Sequence, residues 1–180
     1  MKKTIKITLI LFLCAAAIFA MRGDFTRLLK QIFPFSYKME ISFAAAEFNL
    51  DPYLVAAVIK AESSFNSDAS SGVAHGLMQI TNDTASFISD KTGIPYSKRL
   101  EPITNIRMGC YYLSYLWEKF QSLDTALAAY NAGPATVSGW LSNPKYSKDG
   151  LVLLDIPYSE TGKYLNRIKW YYRIYKHLYS

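Results

Sequence analysis

Any chemistry in this chain turns first on Glu62. It lies on a predicted helix that starts at Asp51-Pro52 and runs to about Ser63. Asp51 is a helix-capping type, and Pro52 suits the first helical position, where its missing N–H is not needed. On that helix Val55, Val58 and Ile59, with Phe65 beyond, form an apolar stripe. Glu62 follows Val58 by four residues and Ile59 by three. At about 100° per residue it stands in the middle of the stripe. A carboxylate held there loses hydration, so its neutral form is favoured and its pKa rises. An acid that stays protonated near neutral pH is what general-acid catalysis requires. The same placement also suits a glutamate merely satisfied at a helix end by an arginine or by backbone N–H groups. Helix geometry alone leaves both readings open.

Few other residues compete for a chemical role. His75 and His177 have no cysteine partners at ligand spacing, and Cys14 and Cys110 are too few for a thiolate site or a disulfide framework. No metal and no cofactor is expected. Asp68 precedes a turn and reads as surface; Asp83 reads as first-turn charge on a helix. Cys110 falls on an apolar stripe and reads as a small core residue. The many Tyr and Trp rings are able to stack on sugars, but those from Tyr164 to Tyr179 fall at helical spacing and read as packing.

Three blocks change the weighing. The first is Ala61-Glu62-Ser63-Ser64-Phe65. The second runs from Ser71-Gly72-Val73-Ala74-His75-Gly76 into Leu77-Met78-Gln79-Ile80-Thr81. The third is Ala128-Ala129-Tyr130-Asn131-Ala132-Gly133-Pro134, with Trp140 beyond. Each alone is weak; their order and separations together are specific. Over residues 38–178 the chain resembles the soluble lytic transglycosylase (SLT) family of peptidoglycan-cleaving enzymes. The resemblance implies a mainly α, lysozyme-like helical domain with a glycan-binding groove, close to goose-type lysozyme. It implies Glu62 as the single catalytic acid/base, Gln79 lining the groove with Met78 beside it, and Tyr130 and Asn131 facing the acid. It also implies Ser71 in the S-x-x-A-x-G turn. Val73 departs from the family's usual Gly; a β-branched residue takes positive φ poorly, so the turn is expected to differ locally. Ala135 also stands where a Gly is common.

The implied chemistry is cleavage of the β-1,4 bond between N-acetylmuramic acid and N-acetylglucosamine. Ordinary glycosidases use two carboxylates, whereas the motifs here supply one. In the family the second role comes from the substrate: the acetamido oxygen stabilises the developing cation, and the sugar's own 6-hydroxyl closes on C1. The product is a 1,6-anhydromuramic end, so the reaction is of the lyase type. Two other readings stand beside it: a hydrolytic lysozyme (muramidase), and a non-catalytic glycan-binding wall module. A binding module has no need of an acid on an apolar stripe.

These blocks need helices to hold them. A first helix is expected over Lys38–Phe48, before the one capped by Asp51. Thr81 caps a third, which Gly93 closes. Ile106, Cys110, Leu113, Trp117 and Phe120 form the buried stripe of a fourth. Asp124 caps a fifth over Thr125–Asn131, ended by Gly133-Pro134. A last helix after Pro157 presents Tyr164, Ile168, Tyr171, Tyr175 and Leu178 on one face. Leu151–Ile156 is the best strand candidate, with a loop as the alternative.

Composition sets the frame. The 180 residues are 51% hydrophobic and 19% charged, which excludes a disordered chain and suits one domain. A net charge of +6 suits an anionic surface such as a bacterial wall, a membrane or nucleic acid, and does not choose among them. The basic last helix, with Lys163, Arg167, Lys169, Arg173 and Lys176, reads as a solvated face, and no nucleic-acid partner is expected. Lys2, Lys3 and Lys6 precede an apolar run from Ile7 to Met21. That pattern is an export segment, either a cleaved signal peptide or a short retained membrane anchor. Leu13 before Cys14 argues against a lipid-attachment cysteine. The expected organisation is a signal or anchor over 1–21, a juxtamembrane stalk over 22–37 and a catalytic domain over 38–180. The domain is placed outside the cytoplasmic membrane, anchored there or secreted to the wall, with peptidoglycan strands as its partner. The sequence carries no signal of oligomeric state.

Overall fold

The structure is a computed structural model that describes Gly23 and residues 25–180. The expected export segment over 1–21 lies outside the described residues. Among the described residues no helix is long and apolar enough to cross a membrane.

The Asp51 side chain accepts a hydrogen bond from the Tyr53 N–H at 2.8 Å, and α3 (Pro52–Glu62) starts there as expected. Leu54 through Ile59 are all buried. This helix is therefore apolar on every side and sits centrally, where a single stripe was expected. Its long neighbour is α8 (Ser159–Tyr179), which buries Tyr164, Leu165, Ile168, Tyr175 and Leu178. Tyrosine hydroxyls pin the pair: Tyr172 donates to Asp51 Oδ2 at 2.7 Å, and Tyr53 donates to the Tyr179 carbonyl at 2.7 Å.

The packed body reaches back beyond the expected boundary at Lys38. A helix α1 spans residues 25–32, ahead of α2 (Lys38–Glu47). Between them Phe33 is only 5% exposed and meets Trp170, Tyr171 and Tyr175 edge-on. The Tyr175 and Tyr179 hydroxyls donate to the carbonyls of Pro34 and Phe33 at 3.0 and 2.7 Å. Residues 33–35 thus belong to the core against α8.

Thr81 caps α4 (Asn82–Thr92), accepting from the Thr84 N–H at 3.1 Å, and Gly93 closes it at φ +74°. In α5 (Pro102–Phe120) the buried stripe passes through Ile106, Cys110, Leu113, Leu116 and Phe120. It takes the three-residue step to Leu116, which leaves Trp117 at the edge and 36% exposed. The cap of α6 (Leu123–Ala132) is Ser122, whose hydroxyl accepts from the Thr125 N–H; Asp124 sits in the first turn instead and pairs with Lys169. Gly133-Pro134 ends α6 and also starts α7 (Pro134–Leu141), with proline in the first turn.

The only paired strands among the described residues are β1 (Ala74–His75) and β2 (Ile80–Thr81), antiparallel, with Ala74 opposite Thr81. Leu151–Ile156 is not a strand. The Asp149 carboxylate accepts from the Leu151 and Val152 N–H groups at 2.8 and 2.9 Å, which bends the chain and occupies donors a ladder needs.

Candidate active site

Glu62 is the last residue of α3. Its carboxylate sits at the helix C-terminus, where the outward carbonyls disfavour negative charge. The surrounding protein strips most of its hydration, and this burial raises its pKa from 4.5 to about 7. Two groups pull the other way and win only in part. The Tyr164 hydroxyl donates to Glu62 Oε1 at 2.5 Å, and the Arg167 guanidinium lies near enough to favour the ionised form. The carboxyl is therefore held near the middle of the physiological range, with one charge-assisted bond fixing its orientation. The chain then turns sharply: Ser64 and Phe65 both take positive φ, at 53° and 66°.

The hairpin loop opposite is held by buried polar contacts. Ser63 donates to the Leu77 carbonyl at 2.8 Å, tying the loop to the end of α3. Asn105 of α5, fully buried, accepts from the Met78 N–H at 2.8 Å and donates to the His75 and Arg99 carbonyls at 3.1 and 3.0 Å. One side chain thus satisfies two backbone groups of a loop with little regular pairing and a third, that of Arg99, beyond α4. Gly76 lies over it at φ +78°, and a Cβ there would come within 2.5 Å of Asn105 Nδ2. The turn accommodates Val73 without strain, because the positive φ angles fall on Gly72 and Gly76, and Val73 points outward.

A cleft of about 380 Å³ runs beside this loop, with Gln79, Thr84, Tyr112, Tyr130, Asn131 and Pro134 among its walls. Gln79 takes φ 47° and spends both amide protons on the Ala69 and Gly76 carbonyls, at 3.1 and 2.9 Å. Asn131 Oδ1 accepts from the buried Thr161 hydroxyl at 2.8 Å, which orients its amide. Tyr130 lies close enough to Glu62 for that charge to help raise its phenol pKa, behind the larger effect of burial. Its hydroxyl, however, donates to the Met78 carbonyl at 2.8 Å. The tyrosine bonded to the acid is Tyr164.

Of the six residues singled out in the sequence, Gln79, Tyr130 and Asn131 wall this cleft, and Glu62 lies near Tyr130 without being one of its walls. Met78 and Ser71 are placed differently. The Met78 side chain is fully buried against Gly109 and does not wall the cleft; its carbonyl accepts the Tyr130 hydroxyl. Ser71 is exposed, and its hydroxyl accepts from the Ala74 N–H at 3.1 Å, closing its own turn. Among the described residues no cluster of His, Cys, Asp and Glu is placed to hold a metal ion.

The family model for the Transglycosylase SLT domain matches residues 39–152. The chain belongs to the Transglycosylase SLT domain family. The soluble lytic murein transglycosylase of Salmonella typhimurium is 34% identical over 156 residues, covering 83% of this chain and 24% of that protein. The structure of an inactive Glu-to-Gln mutant of lytic transglycosylase Slt from Pseudomonas aeruginosa superimposes with a TM-score of 0.72 at 33% identity, over 83% of this chain and 25% of that one. The 70-kDa soluble lytic transglycosylase solved with bulgecin A gives a TM-score of 0.72 at 29% identity, over the same shares of the two chains. The chain thus spans about a quarter of the length of these relatives. The mainly α, lysozyme-like fold expected from the sequence is the fold observed.

Sequence reasoning missed three residues that build this candidate site: Tyr164, Thr161 and Asn105. The first two lay in a helix read as packing. The signal was present, since Tyr164 and Thr161 are three residues apart and so share a face of α8. Asn105 carried a weaker signal, a polar residue just before the apolar stripe of α5.

Proposed function

We infer that this SLT domain is a peptidoglycan lytic transglycosylase in which Glu62 serves first as general acid and then as general base. One observation carries the reading: the C-terminal end of α3 presents a desolvated carboxyl, bonded to Tyr164 and close to Tyr130 of the cleft wall, with its pKa raised to about 7. Asp83, the carboxylate on the cleft wall, is exposed in the first turn of α4. The reading therefore gives the second role of a two-carboxylate mechanism to the substrate.

In the proposed reaction Glu62 donates its proton to the glycosidic oxygen as the bond to C1 of N-acetylmuramic acid breaks. The acetamido oxygen of that sugar shields the cationic centre. The resulting carboxylate then removes the proton of the 6-hydroxyl as its oxygen bonds to C1. The acid is regenerated, no water is consumed, and the products are a 1,6-anhydromuramic end and a free 4-hydroxyl. Tyr164 and Arg167 steady Glu62 while it is ionised between the two steps. Gln79, Tyr130 and Asn131 would contact glycan, while Ser71 and Met78 shape the loop behind them. The inactive Glu-to-Gln mutant of the Pseudomonas relative suits this assignment.

The substrate places the domain outside the cytoplasmic membrane, and the Lys-flanked run over Ile7–Met21 supplies a route there, cleaved or retained as an anchor. The test is turnover of purified peptidoglycan. Glu62→Gln is expected to lower kcat by about 10²–10⁴-fold or more. A variant that keeps over about a tenth of wild-type turnover would remove Glu62 from the mechanism.

A further inference from the structure

The helix α1 adds little to the core. Among the apolar residues of 25–32 only Leu29 packs against the body. Phe25, Leu28 and Ile32 are 60, 51 and 50% exposed. Their spacing of three and four residues puts them on one face of the helix. An apolar helix face left open to water on a folded domain marks a contact with another surface.

Charge, an indole ring and chain order point to the same surface. No acidic residue occurs from Phe25 to Met39, whereas Arg27, Lys30 and Lys38 do. Lys60 donates to the Ile32 carbonyl at 3.0 Å and stands 5.7 Å over the Phe33 ring, which adds a cation at the end of α1. The helix α8, against which Phe33 packs, has no acidic residue after Glu160 and exposes Arg173 and Lys176. An anionic surface complements this charge, and a second copy of the face would bring the same cations against it. Trp170 is 54% exposed, and its ring meets Phe33 at 5.5 Å, so an indole borders the end of α1. Its apolar body and polar N–H suit the boundary between lipid and water. The apolar run that ends at Met21 stops four residues before Phe25. On the export reading that run enters the membrane, so α1 follows it directly at the lipid surface. At this length α1 does not cross a bilayer, but a short helix with one apolar face and flanking cations lies in its boundary.

We propose that α1 lies in the boundary of an anionic phospholipid bilayer, with Phe25, Leu28 and Ile32 turned into the lipid and Trp170 beside them, and so docks the folded domain on the membrane. The proposal rests on the export reading of the Ile7–Met21 run and adds to it a second contact, made by the folded body. The full chain, with that run, is mixed with vesicles of phosphatidylglycerol and phosphatidylcholine whose acyl chains carry bromine near the headgroup. Flotation reports the run. Quenching of the emission that Trp170→Phe removes reports the dock. The chain is expected to float with Trp170 quenched. Leu28→Ser with Ile32→Ser should keep flotation and reduce the quenching roughly 3–10-fold, and Phe25→Ser alone should act in the same direction. Vesicles of phosphatidylcholine alone should also reduce it. Thermal unfolding of each variant separates lost docking from lost fold. If the chain does not float, the export reading fails and the dock falls with it. If it floats with Trp170 unquenched, because the run or a second copy covers the face, the dock alone is overturned. The same holds if the serine variants or the neutral vesicles leave the quenching unchanged.

Discussion

Replacing Glu62 by glutamine is expected to stabilise the fold in alkali and to leave it nearly unchanged in acid. The reason is the position of the carboxyl. In the folded domain its pKa is about 7, against an ordinary value of 4.5 in the unfolded chain. Between those values the folded protein holds a proton that the unfolded chain has released. The stability this proton confers is complete below pH 4.5 and is lost as the pH rises through 7. Each pH unit is worth about 1.4 kcal/mol, so the interval amounts to about 3 kcal/mol. Solvent at the cleft mouth trims this toward about 2 kcal/mol. Glutamine keeps the shape of the acid, and its amide oxygen accepts the Tyr164 hydroxyl as the carboxylate does. Urea unfolding of wild type and variant at about pH 5 and about pH 8.5 isolates the effect, because every other titrating group is common to both. The variant's advantage should grow by about 1–2 kcal/mol between the two conditions. An advantage that is the same at both pH values would refute the assignment of a raised pKa to Glu62.

Tyr164→Phe removes the bond that favours the ionised acid, so the Glu62 pKa should move above 7. The alkaline limb of the kcat profile is then expected to shift upward by about one pH unit, read from rate against pH. Gly109→Ala places a methyl group against the buried Met78 side chain under the cleft loop. It should cost roughly 1–3 kcal/mol in urea unfolding and raise KM as the loop moves. Tyr130→Phe leaves the Met78 carbonyl without its donor, and a loss of about 1 kcal/mol is expected, with the pH profile unmoved because the hydroxyl does not touch Glu62.

The helices were legible where the cap and the stripe agree. Asp51-Pro52, Thr81 and Gly93 set the ends of α3 and α4 as expected, because each satisfies orphan backbone groups by its own chemistry. The helix α7 was hidden because Gly-Pro reads equally as a stop and as a start. The Ser122 cap was hidden behind Asp124, since both are capping types within two residues. At the site, the position of Glu62 on an apolar helix marked a desolvated carboxyl and left its role open, and the three blocks gathered Gln79, Tyr130 and Asn131 around one cleft. What sequence did not disclose was which hydroxyl meets the acid. Tyr130 and Tyr164 both approach Glu62, one from α6 and one from α8, and only the packing of α3 on α8 awards the bond to Tyr164. The support from Asn105 and Thr161 is likewise set by tertiary contacts between distant segments, which local spacing does not encode.

The mass of the product tests the central claim most directly. Purified peptidoglycan digested with the full chain, and with Glu62→Gln as control, is separated and weighed by mass spectrometry. If Glu62 alone moves the proton and the 6-hydroxyl closes the ring, muramic ends appear one water lighter than hydrolytic fragments and resist borohydride reduction, and the control yields none. Fragments at the full hydrolytic mass, with reducible ends, would contradict the account and make the domain a muramidase that delivers water to the same bond.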